Sequence, residues 1–142
     1  MIKSIKTSEA NRVIVTDLTN KLGMGPENVI ARIAFAYSIS LGRKLDPFQM
    51  DDSKGKEYSS RVLFGDYQEL YLAVICQRYE INTMDFDIPR YIKMHIDDGL
   101  ELISRAITSN PNLPVFDFII DLVDSGLLAL VNGHTNDSFG AT

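Results

Sequence analysis

The stretch that decides the fold is GMGPENVIARIAFAYS, residues 23–38, which begins as a turn and continues as a nearly unbroken apolar helix. Proline is favoured in the first turn of a helix because the N–H that it lacks would have no partner there, so Pro26 marks the start of this helix. We expect the helix to run to about Leu41, with Gly42 as its left-handed stop. A helix this apolar is predicted to lie in the core.

Asn28 and Arg32 lie one helical turn apart within this apolar segment. A buried arginine needs a carboxylate or several carbonyl oxygens to offset the loss of its hydration. We therefore interpret Arg32 as structural, and we expect it to bond an internal acid such as Asp66. Direct contact of Arg32 with a ligand is the alternative.

The residues before this stretch predict a short strand and a first helix. The apolar positions of the helix recur every four residues and end at Leu22, next to Gly23. Thr7 or Ser8 can cap its start. Residues 2–7, IKSIKT, form an extended segment that is too short to make a sheet alone, so we expect a strand partner from another subunit.

The residues after this stretch predict a loop and a third helix. Residues 43–60 are polar and contain proline and glycine, which indicates a long exposed loop. In FGDYQELYLAVICQRYE, residues 64–80, Asp66 and Glu69 have the spacing of a capping box at a helix start. The apolar face of this helix is predicted to consist of Tyr67, Leu70, Tyr71, Val74 and Ile75.

A fourth helix is predicted from about Asp87 to residue 109. Its apolar stripe consists of Ile92, Ile96, Gly99, Ile103 and Ile107. Glycine in mid-helix costs roughly 1 kcal/mol relative to alanine, so Gly99 predicts a close approach of another helix.

Length and composition indicate one compact domain, because 142 residues with 45% hydrophobic content can bury one ordinary core. The predicted helices make this domain mainly α-helical. We divide the chain into a helical domain at 1–109, a helical extension at 110–131 and a tail at 132–142. A fifth helix is predicted at 114–131. The tail has no periodicity and is predicted to be disordered.

The single cysteine, Cys76, lies in an apolar run and is predicted to be a core residue. One cysteine gives neither a disulfide framework nor a cysteine-based metal site, which favours the reducing cytoplasm. The most hydrophobic segment, VFDFIIDLVDSGLLALV, is broken by three aspartates, so no membrane span is predicted.

Candidate catalytic and metal-binding residues are few. His95 and His134 are the two histidines, and neither has the spacing of a metal site, so no metal or cofactor is expected. His95 and Asp98 could act as a base and its orienting partner, but no nucleophile is indicated nearby, and we interpret His95 as a structural histidine. Asp97, Asp98 and Glu101 are predicted to form a solvated helix face.

The charge of the chain is unevenly distributed. Residues 1–44 carry seven basic and three acidic side chains, a net charge of +4, whereas the remainder carries seven basic and sixteen acidic side chains, a net charge of −9. Such asymmetry places any anion-binding surface in the first third of the chain. The alternative is an ordinary solubilising surface. The basic residues available for such a surface are Lys3, Lys6, Arg12, Lys21, Arg43 and Lys44.

Four segments in order carry a resemblance to a known family. They are IKTSEANRV, GMGPENVIARIA, FGDYQELYLAVI and PRYIKMHIDDGLELI, and together they extend from about residue 2 to residue 107. In their order and spacing they resemble the DndE proteins of bacterial DNA phosphorothioation, the sulfur modification of the DNA backbone. The predicted helix at 114–131 continues past this pattern.

The resemblance implies a small helical protein whose start is similar to a ribbon-helix-helix arrangement and which assembles as a homo-oligomer, a tetramer. It further implies binding of double-stranded DNA, with a preference for nicked duplex, beside the other DNA sulfur-modification proteins. The predicted DNA-binding residues are then the basic side chains of the positive first third: Lys3, Lys6, Arg12, Lys21, Arg43 and Lys44. In this pattern Asn28, Arg32, His95 and Gly99 are residues that fix the fold.

Three functions are therefore weighed. The first is a non-enzymatic accessory subunit that binds duplex DNA and docks on the modification enzymes. The second is an oligomeric scaffold without DNA affinity, which the net charge of −5 favours. The third is a ribbon-helix-helix repressor, but residues 2–7 lack the Arg, Asn or Gln side chains that read base edges.

Overall fold

The computed structural model describes residues 3–49 and 52–110, together with Asn112, Asp117, Phe118, Ile120, Asp121 and Asp124. In chain order its elements are β1 (Ser4–Lys6), α1 (Ala10–Leu22), α2 (Glu27–Ser40), β2 (Glu57–Ser59), α3 (Ser60–Phe64), α4 (Gln68–Tyr79) and α5 (Ile88–Ser109). The predicted helical class and the strand-helix-helix order of the start are confirmed. No helix in this described part is long and apolar enough to cross a membrane.

Helices α1 and α2 end where the sequence predicts. Gly23 has a φ of 59°, and Gly42, just beyond α2, has a φ of 75°, a left-handed conformation that glycine adopts without steric cost. The start of α1 differs from the prediction. Its first flanking residue is Glu9, whose side chain forms no capping hydrogen bond.

Strand β1 pairs with β2 of the same chain, antiparallel, with Ile5 opposite Tyr58. The expectation that another subunit supplies the partner of β1 is therefore wrong. The predicted loop at 43–60 is also wrong in its last part, since residues 57–59 form β2 and Tyr58 is only 7% exposed. Gly55 in the same segment has no room for a side chain, because a Cβ there would lie 2.7 Å from the carbonyl carbon of Ser8.

Among the described elements, α2 and α5 make the most extensive contact. Gly99 lies against the backbone of Ala34, and a Cβ at position 99 would lie 2.8 Å from the Ala34 Cα and closer still to the Ala34 carbonyl oxygen. The close helix approach predicted from Gly99 is confirmed. It allows the two backbones to touch, so that α2 and α5 form the centre of the core.

The predicted apolar stripe of α5 is confirmed. Each of its members is buried: Ile92, Ile96, Gly99, Ile103 and Ile107. Phe35 of α2 contacts the rings of Phe64 and Tyr71 edge to face, with centroids 5.8 and 5.6 Å apart. These aromatic contacts close the core on the side of α3 and α4.

The predicted third helix is divided in the structure. A 3-10 turn at Gly65–Tyr67 separates α3 from α4, and α4 begins without a side-chain cap, so the Asp66–Glu69 capping box is wrong. Tyr67 and Leu70 are 67% and 61% exposed, contrary to the predicted face. The residues of α4 that lie against the core are Tyr71, Leu72, Ile75, Cys76 and Tyr79.

The predictions for the end of the chain fall mostly outside the described residues. Of the predicted helix at 114–131, five residues are described, and all five are helical. Phe118 is partly buried against the core. The tail at 132–142 lies outside the described residues.

The Gly99–Ala34 contact predicts a reversal of the usual effect of alanine in a helix. On helix propensity alone, Gly99→Ala should stabilise α5 by about 1 kcal/mol. Because the new methyl group would overlap the backbone of α2, we instead expect Gly99→Ala to destabilise the protein by about 1–3 kcal/mol in urea unfolding.

The matched control for this prediction is Thr108→Ala, an exposed position of the same helix, which should be neutral or slightly stabilising. A Gly99→Ala variant as stable as the parent would show that the two backbones do not touch.

Candidate functional site

Two adjacent aspartates of α5 organise the buried polar groups of the protein. Asp97 binds the connection between β1 and α1. Its Oδ1 accepts hydrogen bonds from the Ser8 N–H at 3.1 Å, the Ser8 hydroxyl at 3.3 Å and the Asn11 amide at 2.7 Å. Its Oδ2 accepts from the Lys93 ammonium at 2.8 Å.

Lys93 and Asp97 form a salt bridge whose side chains are only 5% and 10% exposed. Removing one partner from such a pair leaves an uncompensated buried charge, which costs several times more than the pair contributes. Asp97 therefore belongs to the structural interior, and the prediction that it is part of a solvated face is wrong.

Asp98 ends a line of hydrogen bonds that passes through His95. The Ser38 hydroxyl donates to Asp98 at 2.6 Å, so its oxygen is left to accept from His95 Nδ1 at 2.8 Å. His95 Nε2 then accepts from the Tyr79 hydroxyl at 2.7 Å. This set of bonds requires the neutral imidazole with its proton on Nδ1.

Burial keeps His95 neutral. The side chain is fully buried, and this desolvation lowers the pKa of His95 to about 4, with Arg78 and Arg43 adding to the effect and Asp98 opposing it. Both ring nitrogens are occupied within the protein. The arrangement fixes α4 and α2 to α5, and it does not expose a base to a substrate.

A cavity of about 200 Å³ lies between the residues that follow α2 and this part of α5. Its lining includes Asp46, Lys93, Asp97, Asp98 and Glu101. Lys93 and Arg43 offset two of these acids. Within 3–49, 52–110 and the isolated described positions, no group of three or more His, Cys, Asp or Glu side chains is arranged to hold a metal ion.

Within the described part of the chain, three of the six predicted DNA-binding residues are exposed and have no salt bridge, no side-chain hydrogen bond and no acid opposite them in the sheet. They are Lys3, just before β1; Lys21, in the last turn of α1; and Lys44, after α2. Lys6 is also exposed, but the register of the sheet places it directly opposite Glu57. A carboxylate directly across a strand pair reduces the positive potential of that lysine.

The two predicted arginines have partners within the fold. Arg12 donates to the carbonyl oxygens of Lys54 and Gly55, at 2.9 and 3.3 Å. Arg43 forms a salt bridge with Asp98 at 2.5 Å. The structure thus leaves Lys3, Lys21 and Lys44 as the cations of the predicted set with the least local compensation.

The comparison with family models identifies the chain. The model described as "DNA sulphur modification protein DndE" matches residues 4–110, three quarters of the sequence. The chain belongs to the DndE family. The resemblance inferred from the four sequence segments is confirmed, and the matched region ends at the C-terminus of α5.

Solved structures show the same fold. DndE from Escherichia coli B7A, described as involved in DNA phosphorothioation modification, aligns with a TM-score of 0.59 and 17% identity over 71% of this chain and 97% of the other. A DndE G21/24K mutant aligns with a TM-score of 0.60 and 16% identity over 72% and 98%. The comparison with curated proteins found no match.

The residues of this DndE-family chain that were predicted to fix the fold can now be placed. Gly99 and His95 have the structural positions described above. The Asn28 amide donates to the Val62 carbonyl oxygen at 3.0 Å, joining α2 to α3. The expected ion pair of Arg32 with Asp66 does not form within the described residues, and the buried Nε of Arg32 has no hydrogen-bond partner.

Sequence reasoning missed the group formed by Ser8, Asn11 and Asp97. Lys93 and Asp97 have the four-residue spacing of a helical salt bridge, a signal that was available. Ser8 and Asn11 gave no comparable signal, because each is more than eighty positions from Asp97 in the sequence.

The neutral state of His95 predicts a loss of stability in acid. The unfolded chain binds the His95 proton near its ordinary pKa of 6.5, whereas the folded chain resists it until about pH 4. The neutral His95 therefore contributes fully to the free energy of unfolding above pH 6.5. This contribution, about 3 kcal/mol in total, is lost as the pH falls from 6.5 towards 4.

Carboxylates also titrate near pH 4, so the comparison is between the parent and His95→Gln. Urea unfolding at several pH values should show a flatter dependence in this variant over pH 4–6.5. An imidazole of His95 that titrates near 6.5 in NMR spectra of the folded protein would contradict the prediction.

Proposed function

We propose that this chain is a non-enzymatic accessory subunit of a bacterial DNA phosphorothioate modification system, which binds duplex DNA and docks on the other modification proteins. The observation that carries the proposal is the match of residues 4–110 to the DndE family model. The likeness to two DndE structures described as involved in DNA phosphorothioation agrees with it.

An accessory role is supported by the state of the polar side chains. Catalytic bases and acids have access to a substrate and a pKa close to the working pH. His95 has no exposed surface, and both of its nitrogens are bonded to protein groups. Asp97 is likewise saturated by Ser8, Asn11 and Lys93. These groups stabilise the fold, and the proposed function is binding.

The proposed DNA contacts are to the phosphate backbone. Lys3, Lys21 and Lys44 are exposed in the positive third of the chain, and lysine contacts to phosphate carry no sequence information. Lys6 and Arg12 belong to the same surface in this proposal, but their positive charge is partly offset, by Glu57 for Lys6 and by backbone carbonyl oxygens for Arg12. Binding is expected to be independent of sequence and sensitive to salt. A preference for nicked duplex remains a proposal drawn from the family resemblance.

A scaffold without DNA affinity is the second candidate. It is favoured by the net charge of −5 and by the partners that Arg12, Arg43 and Lys6 have within the fold. The repressor alternative loses its support, because β1 pairs with β2 of the same chain and needs no second copy to form a two-stranded ribbon.

The tetramer also remains a prediction. The unpaired strand no longer argues for it, while exposed apolar residues outside the loop between α4 and α5, such as Val13, Leu41 and Phe48, still do. Light scattering should give four times the mass of one chain. A monomer at micromolar concentration would remove the idea that assembly multiplies the positive surface.

The DNA proposal predicts a specific effect of lysine reversal. Each phosphate that is neutralised contributes about −0.9 to the slope of log affinity against log salt. The variant Lys3→Glu/Lys21→Glu/Lys44→Glu should bind nicked and intact duplexes more weakly, to a similar degree for all sequences, and with a shallower slope. Fluorescence anisotropy at several salt concentrations measures both quantities.

The control is Arg61→Glu/Arg90→Glu/Arg105→Glu, which changes the net charge equally at exposed arginines outside the first third of the chain. Equal weakening in both variants would show that only net charge matters. If the parent binds no duplex at low salt while its oligomeric state is intact, the scaffold function replaces the DNA-binding one.

A further inference from the structure

Two large apolar side chains are almost fully exposed on one short loop. Met84 is 81% exposed and Phe86 is 98% exposed, in the connection between α4 and α5. A phenylalanine buries about 150–250 Å² when it is covered, so leaving it in water forfeits a large stabilisation. Exposed apolar groups of this size, when they are contiguous, mark interaction sites.

The backbone of this loop is held in a defined conformation. The Asn82 side chain accepts from the Met84 N–H at 2.9 Å, and the Asn82 carbonyl accepts from the Asp85 N–H at 2.9 Å. The Asp85 side chain accepts from the Asp87 N–H at 2.8 Å. Buried Ile88 anchors the loop at its end. The two side chains are therefore presented in advance, which lowers the entropy cost of binding.

Met84 lies where two adjoining grooves meet. One groove, of about 220 Å³, is lined by Leu72, Phe86 and Pro89 among others, and the second, of about 810 Å³, by Leu72 and Ala73. Both grooves contain Leu72, Thr83 and Met84, so they form one continuous surface beside α4. We call this surface the α4 groove.

The charged residues that line the α4 groove are acidic. Asp66 and Glu69 belong to the larger part and Asp85 to the smaller, and the described lining contains no lysine or arginine. Asp87 follows next and is paired with Arg90 at 3.7 Å. Carboxylates around an apolar groove attract a basic segment and repel an acidic one.

This charge disfavours three other occupants. Duplex DNA would bring phosphates against carboxylates. A second copy in a two-fold dimer would place the same acids opposite one another, because such an interface is self-complementary. The chain's own residues 114–142 contain four aspartates and no lysine or arginine, so their negative charge would also be repelled by the acids of the groove.

We propose that the α4 groove binds a basic amphipathic helical segment of a partner protein, with Met84 and Phe86 contacting its apolar face and Asp66, Glu69 and Asp85 its cations. Amphipathic helices bind apolar grooves through residues spaced three and four apart, and methionine adapts to such partners. The inference deepens the docking part of the proposed function and rests on it.

The test uses a labelled peptide of about 18 residues, long enough to form a helix, with leucines at helical spacing and lysines elsewhere. A second peptide has glutamate in place of each lysine. We expect the basic peptide to bind the full chain and the acidic one not to bind. Met84→Ser/Phe86→Ser should weaken binding at least about tenfold, as loss of a central anchor does.

Two controls make this test specific. Phe48→Ser changes a phenylalanine that is 79% exposed and lines neither part of the groove, and it should leave peptide affinity unchanged. Asp66→Asn/Glu69→Gln should weaken binding of the basic peptide, whereas Glu9→Gln/Asp17→Asn, at exposed acids near and on α1, should not. Circular dichroism verifies that each variant is folded.

Several results would overturn the inference: no binding of the basic peptide, equal binding by Met84→Ser/Phe86→Ser, or equal weakening by both pairs of neutralised acids. Dissociation of an oligomer by Met84→Ser/Phe86→Ser would assign the groove to a second copy. DNA titration of the same variants separates this test from the proposed function, since groove substitutions should leave DNA affinity unchanged.

Discussion

The contact of Gly99 with the backbone of Ala34 is the constraint on which the other features of the molecule depend. It brings α5 close enough to α2 for Ser38 to reach both His95 and Asp98. A side chain at position 99 would separate the two helices. The hydrogen bonds through His95 and the salt bridge of Asp98 with Arg43 are possible because this separation is small.

Asp97 and Asp98 bind different segments of the chain, because adjacent residues of a helix point in different directions. Asp97 binds Ser8 and Asn11, at the connection between the sheet and α1. Asp98 binds the end of α2 through Ser38 and the following loop through Arg43. Two neighbouring carboxylates thus hold the first third of the chain, which carries the proposed DNA contacts, on a helix from its last third.

Sequence reasoning succeeded where a regular spacing repeats over several turns. The stripe of α5 and the ends of α1 and α2 at Gly23 and Gly42 were predicted correctly. It failed at β2, because three residues, Glu57–Ser59, are too few for an alternating pattern to stand out from a polar loop. It also failed at the start of α4, where the break after Phe64 changes which side chains of the next helix reach the core.

The candidate DNA surface was predicted from charge counts alone, which locate cations but not their neighbours. Asp98 lies 55 residues after Arg43 in the sequence, so no local pattern predicts the salt bridge between them. Mass spectrometry of digested genomic DNA, from cells with, without and complemented for this gene, tests participation in DNA phosphorothioation most directly. We expect backbone sulfur to disappear without the gene and to return on complementation; an unchanged sulfur content without the gene would contradict a role in the modification.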